Sequence, residues 1–240
     1  MTSPSTFKLS ILVPVYNEDA TLLQVMNALH ATCEYAQIVY IDDGSSDNSY
    51  DILKKYARTQ DIVLTQRNGG KGSAIRAGLA KAAGDFTVIQ DADLEYDPKQ
   101  IGLLLQATEN RTDTVVFGSR FLTSNPNIYK RYLLGNKVIT GLLNILFGSK
   151  LTDSYTCYKL LPTNVLRSLG LVSDGFEMEA EICAKCIQQG IPIKEIAISY
   201  NPRTLEEGKK IGWKDAWKGC ITMLKVRFSK RVATTAEPQQ

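Results

Sequence analysis

Along the first 120 residues, strand-like apolar runs take turns with helix-like ones. Leu9-Ser10-Ile11-Leu12-Val13-Pro14-Val15 is a short β-rich run, and residues 19–32 then place Leu22, Leu23, Met26 and Leu29 at helical spacing. Gln37-Ile38-Val39-Tyr40-Ile41 predicts a second strand, stopped by Asp42-Asp43-Gly44-Ser45-Ser46. A helix follows through Ile52, Leu53 and Tyr56, with Asp47 placed to cap it. Ile62 to Thr65 reads as strand, Ser73 to Ala83 as a helix ended by Gly84, and Phe86 to Gln90 as a fourth strand. This order predicts an α/β fold: a mostly parallel sheet with helices on both faces. The later half is less regular. A strand over Thr114 to Gly118 precedes a loop rich in Asn, Pro and Tyr (123–132), a weakly amphipathic helix (133–147), a helix over 177–189 and a strand from Ile193 to Tyr200.

Such sheets bind ligands beyond the carboxyl ends of their strands. Polar clusters fall there: Tyr16-Asn17-Glu18, Asp42-Asp43, Asn68 to Gly72, and Asp91 to Glu95. At a strand end, positions i and i+2 share a side, so Asp91 and Asp93 can offer two carboxylates to one cation. Mg²⁺ or Mn²⁺ suits such oxygen ligands and keeps phosphate oxygens in its shell. The alternative is a solvated turn with Asp93 capping the next helix. Asn68-Gly69-Gly70-Lys71-Gly72-Ser73 fails the P-loop pattern, because Thr65 stands where a glycine is needed and Gly72 where Ser or Thr is needed. It fails the dinucleotide fingerprint at Ile75. Its glycines still allow close backbone approach at a helix N-terminus, and Lys71 adds positive charge, which suits a diphosphate; plain loop flexibility is the alternative. Asp42 and Asp43 can accept hydrogen bonds from a nucleoside or simply form an Asp-Gly turn.

Composition narrows the chemistry. With 44% hydrophobic and 22% charged residues in 240, the chain reads as soluble and globular. It has no apolar run long enough for a membrane span, and MTSPSTFKLS lacks the order of a signal peptide, so a cytoplasmic protein is expected. Five scattered cysteines include a lone CxxC, Cys183 and Cys186, which without a second pair predicts packing on a helix. A single histidine, His30, disfavours a His-based triad or zinc site. Carboxylates, cations and backbone remain. Net charge is +3, but residues 201–240 carry nine basic and four acidic side chains, which points to an anionic partner at that end.

Read in order, Pro14-Val15-Tyr16-Asn17-Glu18, Ile41-Asp42-Asp43-Gly44-Ser45-Ser46-Asp47, Asn68-Gly69-Gly70-Lys71-Gly72, Asp91-Ala92-Asp93 and Gly118-Ser119-Arg120 resemble the motif series of family-2 glycosyltransferases of GT-A fold. Leu151-Thr152-Asp153, Cys157-Tyr158-Lys159, Gly175-Phe176-Glu177-Met178-Glu179, Tyr200-Asn201-Pro202-Arg203 and Glu207-Gly208-Lys209-Lys210 continue it and look like the dolichyl- (polyprenyl-) phosphate mannose synthase branch. The likeness covers about residues 8–230.

That resemblance implies a single GT-A domain over 8–230, with a nucleotide-sugar half (8–118), an acceptor half (119–230) and short tails at 1–7 and 231–240. It implies that Pro14, Tyr16, Glu18 and Asp43 line a nucleotide pocket, beside Lys71, and that Asp91 and Asp93 hold Mg²⁺ or Mn²⁺ on the donor diphosphate. Glu95 stands where the branch often has Gln as a further ligand. Arg120, Arg131 and Arg203 become the candidates for gripping phosphate, and Asp91, Asp93, Arg120 and Arg203 the catalytic set. The implied reaction is inverting transfer of mannose or glucose from GDP-mannose or UDP-glucose to a polyprenyl or dolichyl phosphate. The alternative acceptor is a saccharide hydroxyl, which would need a general base, with Asp174, Glu177 and Glu179 available. A nucleotidyltransferase would carry a glycine-rich basic loop after its first strand, where Tyr16-Asn17-Glu18 stands instead. A response-regulator-like domain would not explain the later motifs. Trp213, Trp217, Cys220, Leu224 and Phe228 share one helical face flanked by Lys214, Lys218, Lys225 and Arg227. That face reads as a peripheral contact with the cytoplasmic side of a membrane, or as a helix packed on its own domain, or both; the helix around 138–147 is a second candidate for touching the lipid. No nucleic acid partner is expected.

Overall fold

The computed structural model of the chain describes residues 8–109, 111, 113–123, 125, 130–203 and 213–229, leaving aside the side chains of 130–132 and 213. The expected tails lie outside these residues. Strands β1 (Leu9–Val15), β2 (Gln37–Asp42), β3 (Ile62–Thr65), β4 (Phe86–Ile89), β5 (Val115–Ser119), β6 (Lys159–Pro162) and β7 (Ile193–Ala197) build one sheet in the order β3-β2-β1-β4-β6-β5-β7. Every neighbouring pair is parallel except the two that β6 makes with β4 and β5. The helices are α1 (Asp19–Thr32), α2 (Ser49–Tyr56), α3 (Lys71–Leu79), α4 (Ile101–Ala107), α5 (Lys130–Phe147), α6 (Thr163–Ser168), α7 (Met178–Gln188) and α8 (Trp213–Phe228). β2 and β4 are buried at every position, which requires cover on both faces of the sheet. The expected α/β architecture is therefore present, and the two halves expected from sequence share one sheet.

Local chemistry explains the elements that differ. Pro14 sits inside a central strand because pairing with β4 stops at Leu12, so no β4 carbonyl lacks a donor there. Asp47 caps two helices: Oδ1 accepts the Ser49 N–H at 2.9 Å, and Oδ2 accepts the Asp19 N–H at 3.0 Å. α3 starts at Lys71 and ends at Leu79, so Gly84 is not its cap. Gly84 instead marks a close crossing, where its N–H donates to Ser10 Oγ at 2.8 Å and a Cβ would lie 2.5 Å from the Ser10 nitrogen. β7 stops at Ala197, three residues short of expectation, and α5 begins at Lys130, three residues before. β6, α4 and α6 were not foreseen. β6 is four residues long, has no β-branched residue and starts on a fully buried lysine.

α8 packs on α7 and α5. Its inward positions are Gly219, Met223 and Val226; Trp217 (64% exposed), Leu224 and Phe228 (82% exposed) face solvent. Of the apolar stripe read from the sequence, Trp217, Leu224 and Phe228 are thus on the outer face, whereas Cys220 is half-buried against the core. Gly219 is required there because the Tyr155 hydroxyl occupies the space of a Cβ. On α5, Leu134, Val138 and Ile145 are likewise exposed, while Ile139 and Leu143 are buried. Among the described residues no helix is long and apolar enough to cross a membrane.

The single histidine is structural. His30 Nε2 lies 2.9 Å from Asp61 Oδ2 and 3.1 Å from the Tyr40 hydroxyl, while Arg58 Nη2 donates to Asp61 Oδ1 at 2.9 Å. Burial lowers the imidazole pKa and outweighs the attraction of Asp61, and the Arg58 charge acts in the same direction as burial. The unfolded chain therefore takes up a proton near the ordinary value of 6.5 that the folded chain refuses until lower pH. The stability carried by neutral His30 is intact above that value and lost as pH falls below it. The melting temperature of the wild type should fall more steeply between pH ~7.5 and ~5.5 than that of His30→Gln, which keeps a donor for Asp61; parallel curves from thermal melts would count against this.

Candidate active site

Four strand ends open into one cavity of about 360 Å³. Tyr16 and Glu18 reach it after β1, Asp43 after β2, Asn68, Gly70 and Lys71 after β3, and Asp91, Ala92, Asp93 and Glu95 after β4. Pro14, Val15, Phe176 and Arg203 complete the lining. The fold thus gathers Pro14, Tyr16, Glu18, Asp43, Lys71, Asp91, Asp93, Glu95 and Arg203 as expected. Arg120 is not in the lining, and the side chain of Arg131, in the first turn of α5, lies outside the described residues.

The Tyr-Asn-Glu corner is built by its asparagine. Asn17 takes a left-handed φ of 51°, which Asn tolerates better than most residues, and its Oδ1 accepts the Ser46 N–H at 2.8 Å. Asp43 lines the cavity, but its carboxylate is already committed: Oδ1 accepts from the Gly69 N–H at 2.9 Å and Gln66 Nε2 at 2.7 Å, and Oδ2 from the Gly70 N–H at 2.8 Å. Asp42 is buried, with Thr65 donating to Oδ2 at 3.3 Å.

These bonds correct the diphosphate reading of the glycine loop. The N–H groups of Gly69 and Gly70 point to Asp43, and those of Gly72 and Ser73 donate to the Asp174 carbonyl at 2.6 and 3.2 Å. Four donors that could have cradled phosphate are satisfied inside the protein. The glycines serve close packing instead: a Cβ on Gly72 would collide with the Ser173 carbonyl, and Gly70 has φ of +91°.

Lys71 is the charged centre of this region. Its ammonium lies 2.7 Å from Asp91 Oδ1 and 3.0 Å from Glu179 Oε1, and Glu179 Oε2 pairs with Lys159 Nζ at 2.6 Å. Burial alone would depress the Lys71 pKa, but Asp91, followed by Cys157 and Glu179, outweighs it and holds the group well above its ordinary value. Lys159 is raised in the same way, with Glu179 overcoming burial. Lys159 sits fully buried in β6 and its ammonium also donates to the Thr156 carbonyl. An alternating chain, Asp91–Lys71–Glu179–Lys159, therefore runs from the cavity into the core. The sequence placed Glu179 and Lys159 in motifs without revealing that they support Lys71.

The three carboxylates expected to hold a metal are arranged differently from one another. Asp91 and Asp93 lie past the end of β4, so a loop and not the strand pleat sets their direction. Among the described residues, no group of three His, Cys, Asp or Glu side chains is arranged to hold a metal. Glu95, on the same wall, has its carboxylate taken up by the 200–203 segment: Oε2 accepts the Tyr200 hydroxyl at 2.7 Å and Oε1 the Arg203 N–H at 2.8 Å. Asp91 and Asp93 on the cavity wall remain a hard oxygen pair, which fits a divalent ion whose other ligands are phosphate oxygens.

Arg203 points its Nη2 at Glu18 Oε2 (2.6 Å) and Asp93 Oδ2 (3.5 Å). Arg120 is a brace and not a phosphate grip in this arrangement. Its guanidinium makes a buried bidentate pair with Asp153, at 2.7 and 2.8 Å, and stacks over Tyr200 at 5.0 Å. The three possible bases differ in how far they are engaged, and Glu177 keeps Oε2 buried without a hydrogen-bond partner among the described residues. Asp174 pairs with Arg76, Glu179 with two lysines, and Glu177 accepts the Gly175 N–H at 3.1 Å. Cys183 and Cys186 are buried free thiols on α7, and burial pushes Cys183 up to about 12.

Comparison with known proteins places this geometry. An undecaprenyl-phosphate 4-deoxy-4-formamido-L-arabinose transferase of Proteus mirabilis is 32% identical over 158 residues, 62% of this chain and 47% of the relative. The low-salt glycan biosynthesis hexosyltransferase Agl6 of Haloferax volcanii is 26% identical over 224 residues, 90% of this chain and 53% of the relative. The chain thus spans about half the length of these relatives. Glucosyl-3-phosphoglycerate synthase from Mycobacterium tuberculosis, solved with Mn²⁺, UDP and glucosyl-3-phosphoglycerate, superposes with a TM-score of 0.70 at 17% identity, covering 92% of this chain and 80% of that one. S. aureus TarS 1-349 in complex with UDP-GlcNAc does so at 0.60 and 15%, covering 94% and 68%. The fold is therefore GT-A. Residues 10–170, which carry β1 to β6 nearly whole and most of the cavity wall, match glycosyl transferase family 2, and the chain belongs to that family.

Proposed function

We propose that this chain is an inverting, metal-dependent glycosyltransferase that moves mannose or glucose from a nucleotide sugar, GDP-mannose or UDP-glucose, to a polyprenyl or dolichyl phosphate. The observation that carries the reading is the meeting of charges in one cavity: Asp91 and Asp93 on one wall, with Lys71 and Arg203 directed at them. The undecaprenyl-phosphate acceptor in the name of the Proteus relative supports the acceptor, and the Mn²⁺ and UDP of the mycobacterial structure support the donor side.

In this reading Pro14, Tyr16 and Glu18 border the nucleoside, and Asp43 shapes its pocket from behind by fixing Gly69 and Gly70. Asp91 and Asp93 would hold Mg²⁺ or Mn²⁺, which when bound supplies positive charge to the leaving diphosphate. Lys71 sets the direction of Asp91 and adds a second fixed cation beside it. Arg203 offers a planar guanidinium matched to phosphate oxygens. A phosphate acceptor is already anionic, so its attack needs no base. Of the three carboxylates available as the base that a saccharide-hydroxyl acceptor would need, Glu179 is held between two lysines and Asp174 pairs with Arg76. Attack opposite the leaving diphosphate inverts the anomeric carbon.

The acceptor's lipid chain implies a membrane, met peripherally at its cytoplasmic face. The exposed sides of α5 and α8, two helices in contact, fit that role: Leu134, Val138 and Ile145 on one and Trp217, Leu224 and Phe228 on the other are exposed, and Lys214, Lys218, Lys225 and Arg227 on α8 are exposed as well. Apolar side chains accompanied by cations suit an anionic lipid surface.

Two outcomes are expected. With Mn²⁺, radiolabelled nucleotide sugars and polyprenyl phosphate, label should enter an organic-soluble, acid-labile product, and Asp91→Asn or Asp93→Asn should lower that transfer about 100-fold or more. Label entering a free glycan but never the lipid would overturn the acceptor assignment. Trp217→Ser combined with Phe228→Ser should reduce co-sedimentation with anionic vesicles several-fold, and added salt should weaken the wild type. Vesicle binding that neither change affects would remove α8 from the membrane contact.

A further inference from the structure

Glu95 follows the two cavity carboxylates by the same two-residue step, yet its bonds run to another part of the chain. Its Oε1 accepts the Arg203 N–H at 2.8 Å, its Oε2 accepts the Tyr200 hydroxyl at 2.7 Å, and its backbone carbonyl accepts the Asn201 N–H at 2.9 Å. One residue thus ties down the segment 200–203 at three points. The segment is held from the other side as well. The Tyr200 ring lies 5.2 Å from that of Tyr96 and 5.0 Å from the Arg120 guanidinium, and its N–H donates to Asn125 Oδ1 at 3.1 Å. Arg120 cannot shift, because Asp153 grips it bidentately in the core. At the free end of this series stands Arg203, with its guanidinium over Glu18 and Asp93.

We propose that Glu95 is a positioning residue: a clamp that sets Arg203 over the cavity carboxylates so that its guanidinium meets the acceptor phosphate, and not a third metal ligand. The inference rests on the transfer reaction proposed above. The chemistry of the contacts favours a carboxylate. An ionised Glu is acceptor-only, and it faces one N–H and one O–H donor, each forming a charge-assisted bond. A glutamine keeps the contact with the Arg203 N–H through its carbonyl, and the Tyr200 hydroxyl can turn to accept from its amide. An alanine loses both. Arg120 acts on the same segment through Tyr200, which gives its buried pair with Asp153 a role in the site without contact to a phosphate.

The test compares Glu95→Ala, Glu95→Gln and Tyr200→Phe by two readouts: calorimetric Mn²⁺ affinity in the presence of UDP or GDP, and KM for a short-chain polyprenyl phosphate. Glu95→Ala should raise the acceptor KM about tenfold or more, the scale of one lost bond to a charged group because the clamp acts through Arg203, and leave Mn²⁺ affinity within about twofold. Tyr200→Phe should shift KM in the same direction by less, with Mn²⁺ affinity unchanged, and Glu95→Gln should recover most of the loss. In a double variant with Arg203→Ala, Glu95→Ala should add nothing further. A tenfold loss of Mn²⁺ affinity in Glu95→Ala with the acceptor KM unmoved would overturn the clamp and leave the transferase reading standing. A wild type that binds Mn²⁺ and nucleotide but transfers nothing to the lipid phosphate would remove that reading, and the acceptor role of the clamp with it.

Discussion

The buried ion chain Asp91–Lys71–Glu179–Lys159 is the constraint on which the cavity depends. It joins the loop after β4, the first residue of α3, the start of α7 and the antiparallel strand β6. Two lysines and two acids taken from water cost far more than a surface pair, and the alternation of sign is what makes their burial tolerable. Removing Glu179 would leave two lysine charges in the core without their shared partner. The chain also explains how carboxylates can crowd one rim of the sheet: Asp91 is neutralised from below, whereas Asp93 and Glu18 are approached by Arg203 from the side.

The glycine-rich segment belongs to the same construction. Its backbone donors are used by Asp43 and by the Asp174 carbonyl, so the loop is fixed against 173–175 before any ligand arrives. Lys71 leaves that fixed backbone, and its direction is set at both ends. Preorganised charge of this kind is the form in which a protein stabilises a leaving diphosphate most effectively.

Much of this was legible in the sequence because it is local. β1 to β4 are nearly continuous apolar runs ended by polar turns, and their boundaries appear within a residue or so. The cavity residues follow those ends, so position alone nominates most of them. What the sequence hid depends on distant partners. β6 begins with a lysine that reads as solvent-facing until Glu179 is brought beside it, and Arg120 reads as a phosphate grip until Asp153 closes on it. Glu95 is a ligand candidate only by resemblance, and the return of the chain at 200–203 shows where its oxygens go. On α8 the periodicity found an apolar stripe, but not that Gly219, Met223 and Val226 would be the packed side, since the bulkier Trp217, Leu224 and Phe228 dominate the pattern.

The place of β6 has a consequence for how the molecule folds. It lies between β4 and β5 and bonds to both, although it follows them in the chain by about forty residues or more. Until it arrives, β4 is an open edge and β5 with β7 has no link to the rest of the sheet. Within the sheet, the group β3-β2-β1-β4 and the pair β5-β7 therefore meet only through this late, short segment, and long loops must close before its bonds form. The backbone continuity of the sheet rests on this one strand, and the side-chain ties outside it, Lys71 to Glu179 and Glu95 to the 200–203 segment, come into register only once β6 has set the two groups of strands side by side.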